Sequence, residues 1–279
     1  MTKGAIKRLL AAFSPLQLFA LIAPKDLARR VTHDAGHAEG PRGGLDVYAP
    51  PKADGPAPVA IFFYGGSWET GRRQDYRWVA RALAAQGFLA LVPDYRLYPE
   101  VRYPGFLEDG AAAVRWAVDN AASLGGDPGR IVLIGHSAGA YNAAMLALDP
   151  RWLRAVAVEP SMIRAFVGLS GPYAFLPLES PVTIRTFGEA DDLAATQPAA
   201  FARADAPSAF LATGEQDTVV RPRNTRKLAA ALREAGARVE ERHYAGMGHA
   251  GPVLALSRLF RRKSTVLADM VAFLKTAVG

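Results

Sequence analysis

The chain has 279 residues, half of them apolar, which is enough for one large α/β domain with a substantial buried core. Cysteine is absent, and this excludes disulfide frameworks, thiolate metal sites and a cysteine nucleophile. Lys and Arg outnumber Asp and Glu by 33 to 26, but the arginines are scattered and no aromatic-interleaved basic stripe accompanies them, so nucleic acid is discounted as a partner.

At the start of the chain, Lys3, Lys7 and Arg8 precede an apolar stretch over 9–23 that Pro15 and Gln17 interrupt. The stretch is too short and broken to span a bilayer, and no small-residue cleavage site follows it. Residues 1–44 are therefore expected to form a helical segment packed on the domain, in a cytoplasmic protein, with export as a precursor and peripheral membrane contact as alternative uses of the same stretch. The domain itself is expected to occupy 45–279. An antiparallel strand is predicted at 44–49, ended by Pro50 and Pro51. Apolar, β-branched runs then alternate with longer helical patterns. Strands are predicted at 59–63, 89–92, 131–134, 166–169, 210–212 and 239–244, and helices at 76–86, 106–123, 140–148, 224–235 and 265–276. Such alternation implies a mostly parallel central sheet with helices on both faces. Between 172 and 207 it breaks: Pro172, Pro177, Pro181, Pro198 and Pro207 punctuate short apolar scraps with no strand-length run. An insertion of that length in a compact domain is usually functional, and a small lid over the carboxyl edge of the sheet is expected. Near the end, residues 254–267 form a second basic and apolar segment with Arg258, Arg261, Arg262 and Lys263. It could join the first on one face, although an amphipathic helix with a solvated side is the simpler reading.

The chemistry concentrates at the carboxyl ends of these strands. Gly135, His136, Ser137, Ala138 and Gly139 read G-x-S-x-G directly after one strand and before a helix, the context of a nucleophile elbow. Small flanking residues let the turn lift the Ser137 hydroxyl above the sheet edge and aim the Ala138 amide, at the positive end of a helix dipole, towards a carbonyl oxygen. A serine nucleophile needs a base and an orienting acid, which in this arrangement follow as Asp or Glu and then His. Asp217 lies just past the strand near 210, ahead of its rivals Glu215, Asp191 and Asp192. His249, in the loop Gly246, Met247, Gly248, His249, Ala250, Gly251, is the one histidine in a glycine-rich loop downstream of that acid; His33 and His37 precede the first strands and His243 lies on the last. Tyr64, Gly65, Gly66, Ser67 and Trp68 follow the strand at 59–63, where glycines allow amides to turn towards an anion. The Gly66, Ser67 and Ala138 amides are the expected oxyanion hole.

These residues together resemble the α/β-hydrolase fold esterases, near the hormone-sensitive-lipase-like carboxylesterases and the kynurenine-formamidase-like hydrolases. The likeness runs from about Leu45 onwards and rests on the loop from Tyr64 to Trp68, on Pro93, Asp94, Tyr95, Arg96, Leu97, Tyr98, Pro99 and Glu100, on the elbow, and on Asp217 and His249. Tyr64 stands where the family has His, and Ser67 where lipase-like members have a third Gly; these changes, with His136 and Ala140, are closer to formamidase-like members. Asp94 and Arg96 are expected to make structural ion pairs. The resemblance implies an α/β-hydrolase fold and a serine hydrolase that needs no metal or cofactor. Its small-molecule ester or amide substrate is expected to meet Trp68, Tyr141, Tyr173 and Phe187. An arylformamidase and a catalytically silent binding protein are the competing functions.

Overall fold

The computed structural model describes residues 19, 20 and 22–279. Eight strands form one sheet in the order β1-β2-β4-β3-β5-β6-β7-β8. Strands β3 (Ala57–Phe63), β4 (Leu89–Pro93), β5 (Gly126–His136), β6 (Ile163–Leu169), β7 (Ser208–Gly214) and β8 (Val239–Tyr244) run parallel. Strand β2 (Gly44–Ala49) pairs antiparallel with both β4 and β1 (Arg29–Gly36). The mostly parallel sheet expected from the alternation is thus present. Its central strands are continuous apolar runs because both faces are covered: Val59, Ile61, Phe62, Ile131, Leu133, Phe166 and Val167 are all fully buried.

The helices are α1 (Arg77–Ala85), α2 (Gly105–Asn120), α3 (Ala138–Leu148), α4 (Pro150–Ala155), α5 (Pro181–Phe187), α6 (Arg223–Glu234), α7 (Gly251–Leu254) and α8 (Val266–Val278). Helix α3 is buried along its whole length, which explains why its sequence, from Ala138 to Leu148, carries no charged side chain. It packs on β5 and β6, with α2 beside it, while α8 lies across β5, β6 and β7 and α1 covers β2 and β4. Residues 172–207 hold only α5 and two short 3-10 turns, Ala194–Thr196 and Pro198–Phe201.

One expectation needs correction. Within 1–44, residues Arg29–Gly36 form an edge strand rather than part of a helical segment. Its outer position leaves most of it exposed, so apolar alternation is missing and two register shifts against β2 break the period further. Before it, Phe19 does pack on the domain, edge-on to Trp78 of α1 at 5.2 Å and stacked on Phe260 at 5.9 Å. The remainder of the expected helix, residues 1–18 and 21, lies outside the described residues. Strand β5 also starts five residues before its apolar run. Gly126 and Asp127 pair with Ala57 and Pro58 ahead of a register shift, and the Gly and Pro there read as turn residues in sequence.

Candidate active site

Strand β5 ends at His136 and α3 begins at Ala138, so Ser137 alone makes the turn, with φ 55° and ψ −123°. A non-glycine residue enters that region only when its surroundings force it there. Those surroundings are tight. A Cβ at Gly135 would stand 2.1 Å from the Gly139 carbonyl oxygen, and one at Gly139 would stand 2.1 Å from the Phe63 carbonyl oxygen. The Ser137 amide donates to the Leu169 carbonyl at the end of β6 (2.9 Å), and its own carbonyl accepts from Ala140 (2.9 Å).

Two other loops at the same sheet edge complete the arrangement. Asp217 follows β7 and is buried; its Oδ1 accepts from the Val219 and Val220 amides, both at 2.9 Å. The His249 loop follows β8 and is tied to the Asp217 loop by the Gln216 amide, which donates to the Met247 carbonyl at 2.9 Å. His249 Nδ1 lies 2.8 Å from Asp217 Oδ2, and His249 Nε2 lies 2.9 Å from Ser137 Oγ. Burial alone would raise the Asp217 pKa, but the hydrogen bond and charge of His249, with the two amides, hold it below the ordinary carboxylate value. An ionised carboxylate can only accept, so Nδ1 of His249 carries the proton. Nε2 then faces the serine hydroxyl.

His136 contributes in a way its place inside the elbow motif did not announce. Its Nε2–H donates to the His249 carbonyl at 3.2 Å, and the two rings sit 5.1 Å apart. Burial first, and then the neighbouring His249, push its pKa down to about 3, so it is a neutral imidazole. It ties the loop that carries His249 to the end of β5, next to Ser137.

Across from the elbow, the loop after β3 turns sharply: Gly66 has φ 139°, and Ser67 and Trp68 both have φ 56°. At Gly66 a Cβ would meet the Thr70 carbonyl oxygen at 2.1 Å, so only glycine fits. Ser67, Trp68, Ser137 and Ala138 line one cavity of about 420 Å³, and Gly66, partly exposed, directly precedes Ser67. Ala138 is the first residue of α3, so its amide has no acceptor within the helix. Tyr64 is buried, donating to Asp94 Oδ1 at 2.9 Å while its carbonyl accepts from the Tyr95 hydroxyl at 2.6 Å. Asp94 and Asp46 both bind the buried Arg73 guanidinium, and Arg96 binds Asp109 at 2.8 Å. The block from Pro93 to Glu100 therefore braces the loop from beneath.

Of the four aromatic residues expected to contact substrate, Trp68 lines the cavity and the others do not. Tyr141, Tyr173 and Phe187 are fully buried. Trp68 itself donates from Nε1 to Asn142 Oδ1 at 3.1 Å, and its ring lies edge-on to Tyr141 at 5.3 Å and to Phe187 at 5.0 Å. Tyr141 and Phe187 are consumed in packing that holds Trp68 in place. The apolar wall comes instead from Phe175 and Val182 in the segment 172–207 and from Val219 and Val220 beyond Asp217. Their one sequence signal was location, either in the interrupted segment or directly after the acid. The rival acids stand elsewhere: Glu215 is exposed, and Asp192 accepts from the Ala194 amide at 2.8 Å. Among the described residues, no group of three or more His, Asp or Glu is placed to hold a metal ion.

A family model, BD-FAE, matches residues 45–232. Carboxylesterase NlhH of Mycobacterium tuberculosis is 46% identical over 103 residues, covering 36% of this chain and 32% of that protein. The probable isoprenylcysteine alpha-carbonyl methylesterase ICMEL1 of Oryza sativa subsp. japonica is 34% identical over 154 residues, covering 53% and 36%. The chain thus spans about a third of the length of these curated relatives. Among solved structures, a truncated carbohydrate esterase from gut microbiota superposes with a TM-score of 0.76 at 19% identity, covering 92% of this chain and 99% of that one. The carboxylesterase EstE1, cloned from a metagenomic library, gives 0.74 at 22% identity, covering 100% and 98%. At those identities the likeness is one of fold, and the fold is that of the α/β hydrolases.

Proposed function

From the premise that the chain belongs to the BD-FAE family, we propose that it is a serine hydrolase acting on small carboxylic esters. The observation that carries this reading is the unbroken line of hydrogen bonds from Asp217 through His249 to Ser137. As the Ser137 oxygen attacks the ester carbonyl, its proton passes to His249 Nε2, and Asp217 stabilises the imidazolium. The carbonyl oxygen becomes an anion in front of the Gly66, Ser67 and Ala138 amides. Collapse of this tetrahedral intermediate breaks the bond to the alkoxy oxygen, which takes the proton from His249 and departs as the alcohol. Water then gives a proton to His249 and attacks the acyl-serine, and the proton returns to Ser137 as the carboxylic acid leaves.

The cavity supports a small, apolar acyl group. Its volume of about 420 Å³ lies at the modest end of the range for small-molecule sites, and Trp68, Phe175, Val182, Val219 and Val220 give it an apolar wall. The segment 172–207 serves as its lid. The names borne by the curated relatives, carboxylesterase and methylesterase, agree with an ester substrate. The Gly65, Gly66, Ser67, Trp68 loop and the His136 elbow favour one second reading, hydrolysis of an N-formyl aromatic amide.

Fluorophosphonate labelling and turnover of short-chain p-nitrophenyl esters test the proposal. Both are expected in the wild type, and Ser137→Ala is expected to lose the label and to cut kcat by about a thousandfold or more. Ester turnover that survives Ser137→Ala undiminished overturns the mechanism. Faster turnover of an N-formyl aromatic amide than of any ester transfers the assignment to the second reading.

A further inference from the structure

Six large hydrophobic side chains stand exposed among the described residues, and they fall in two places. Leu176, Ile184 and Val219 lie at or beside the cavity mouth. Ile22, Leu27 and Leu259, exposed by 76%, 78% and 50%, are remote from it. These three are brought together by contacts between distant parts of the chain. Arg258 donates to the Lys25 carbonyl at 3.0 Å, Arg261 binds both carboxylate oxygens of Asp26 at 3.0 and 2.6 Å, and Phe19 stacks on Phe260. Residues 22–27 and 258–263 thus form one surface, beside α1.

Its charge is one-sided. Lys25, Arg258, Arg262 and Lys263 are exposed, and among the described residues none of them makes an ion pair with a carboxylate. Asp26, the acid within these two stretches, is already neutralised by Arg261. The sequence that precedes the surface repeats its character, with Lys3, Lys7 and Arg8 set against Leu9, Leu10 and Phe13. Isolated aliphatic side chains standing among unneutralised cations match the boundary between anionic headgroups and acyl chains, where both kinds of group gain free energy at once. A second copy of the chain would instead bring like charges face to face.

We propose that the surface formed by residues 22–27 and 258–263 docks the protein reversibly on a membrane rich in anionic lipid. Lys25, Arg258, Arg262 and Lys263 meet the headgroups, and Ile22, Leu27 and Leu259 enter the interface. No helix among the described residues is long and apolar enough to cross a membrane. None of these residues lines the cavity, and docking leaves the hydrolytic site intact.

The test is co-sedimentation of the full chain with vesicles of phosphatidylcholine alone and of phosphatidylcholine mixed with phosphatidylglycerol, at low and raised salt. Binding is expected to the mixed vesicles, weakening with salt. The double variant Arg262→Glu/Lys263→Glu is expected to lower the partition coefficient by about tenfold or more. A second pair, Leu27→Ser/Leu259→Ser, tests the apolar half and is expected to weaken binding as well. Both pairs are expected to keep the wild-type circular dichroism melt and turnover of a soluble ester. No binding to mixed vesicles, equal binding to neutral ones, or charge-reversed protein that binds like wild type overturns the proposal. So does a concentration-dependent dimer that the leucine substitutions dissolve while vesicles remain unbound, which assigns the surface to a second copy.

Discussion

Asp217 sits where two opposing influences meet: burial favours its neutral form, while His249 and the Val219 and Val220 amides favour the carboxylate and prevail. An amide in its place would keep the shape but could present its NH2 to His249 Nδ1, turning the proton on the ring towards Ser137. Asp217→Asn is therefore expected to lower kcat by about a thousandfold to ten-thousandfold with little change in KM, measured on a soluble ester. An unchanged kcat would show that Asp217 does not set the ring's protonation. His136 acts one step further out, through the backbone of the His249 loop. Aromatic side chains show the limit of residue-type reasoning. Tyr141, Tyr173 and Phe187 have the chemistry of a substrate pocket, but only packing decides which face of a ring is covered, and here both faces are buried.

At the level of elements, the strand, turn and helix around Ser137 tolerate no added atom. Gly135→Ala would drive a Cβ into the backbone of Gly139, which no side-chain adjustment can relieve. Its expected cost is about 3 kcal/mol of stability together with loss of ester turnover, read from urea denaturation and steady-state kinetics. A variant as stable as wild type would mean that the elbow can open without penalty. This turn was legible in sequence because each of its requirements has a residue signature: a β-branched run, small residues, then a charge-free helix. Asp217 and His249 were legible for a related reason, since the ends of recognisable strands announce where loops must lie. Strand β1 was not legible, because an exposed edge strand with broken register has no apolar period to read. The cavity wall was equally hidden. Phe175 and Val182 reach the cavity from a segment without regular periodicity, so their direction depends on tertiary packing and not on local pattern.

Taken as a whole, the molecule gathers three loops from β5, β7 and β8 at one edge of a parallel sheet, where strand ends are adjacent although their residues are 112 apart in sequence at the widest pair. Burying His136 in that assembly ties global stability to pH. In the folded protein its pKa is about 3, against an ordinary value of 6.5, so between those limits the unfolded chain binds a proton that the native state refuses. Its contribution is fully present above about pH 6.5 and is lost as pH falls towards 3, at up to about 1.4 kcal/mol per pH unit. Urea midpoints across that window are expected to fall more gently in His136→Gln than in wild type; parallel curves would show that His136 is not the linked group. The backbone of Ser137 has a consequence of its own. Its φ of 55° and ψ of −123° suit a residue without a side chain, so the fold holds the proposed nucleophile in place against a local preference for something else. Ser137→Gly relieves that preference, and after the extra freedom glycine gives the unfolded chain, a net gain of about 1 kcal/mol is expected. The variant without the proposed nucleophile is then expected to be the hardier one in a thermal melt, and under the proposed mechanism selection for robustness alone would steadily erase the residue that turnover requires.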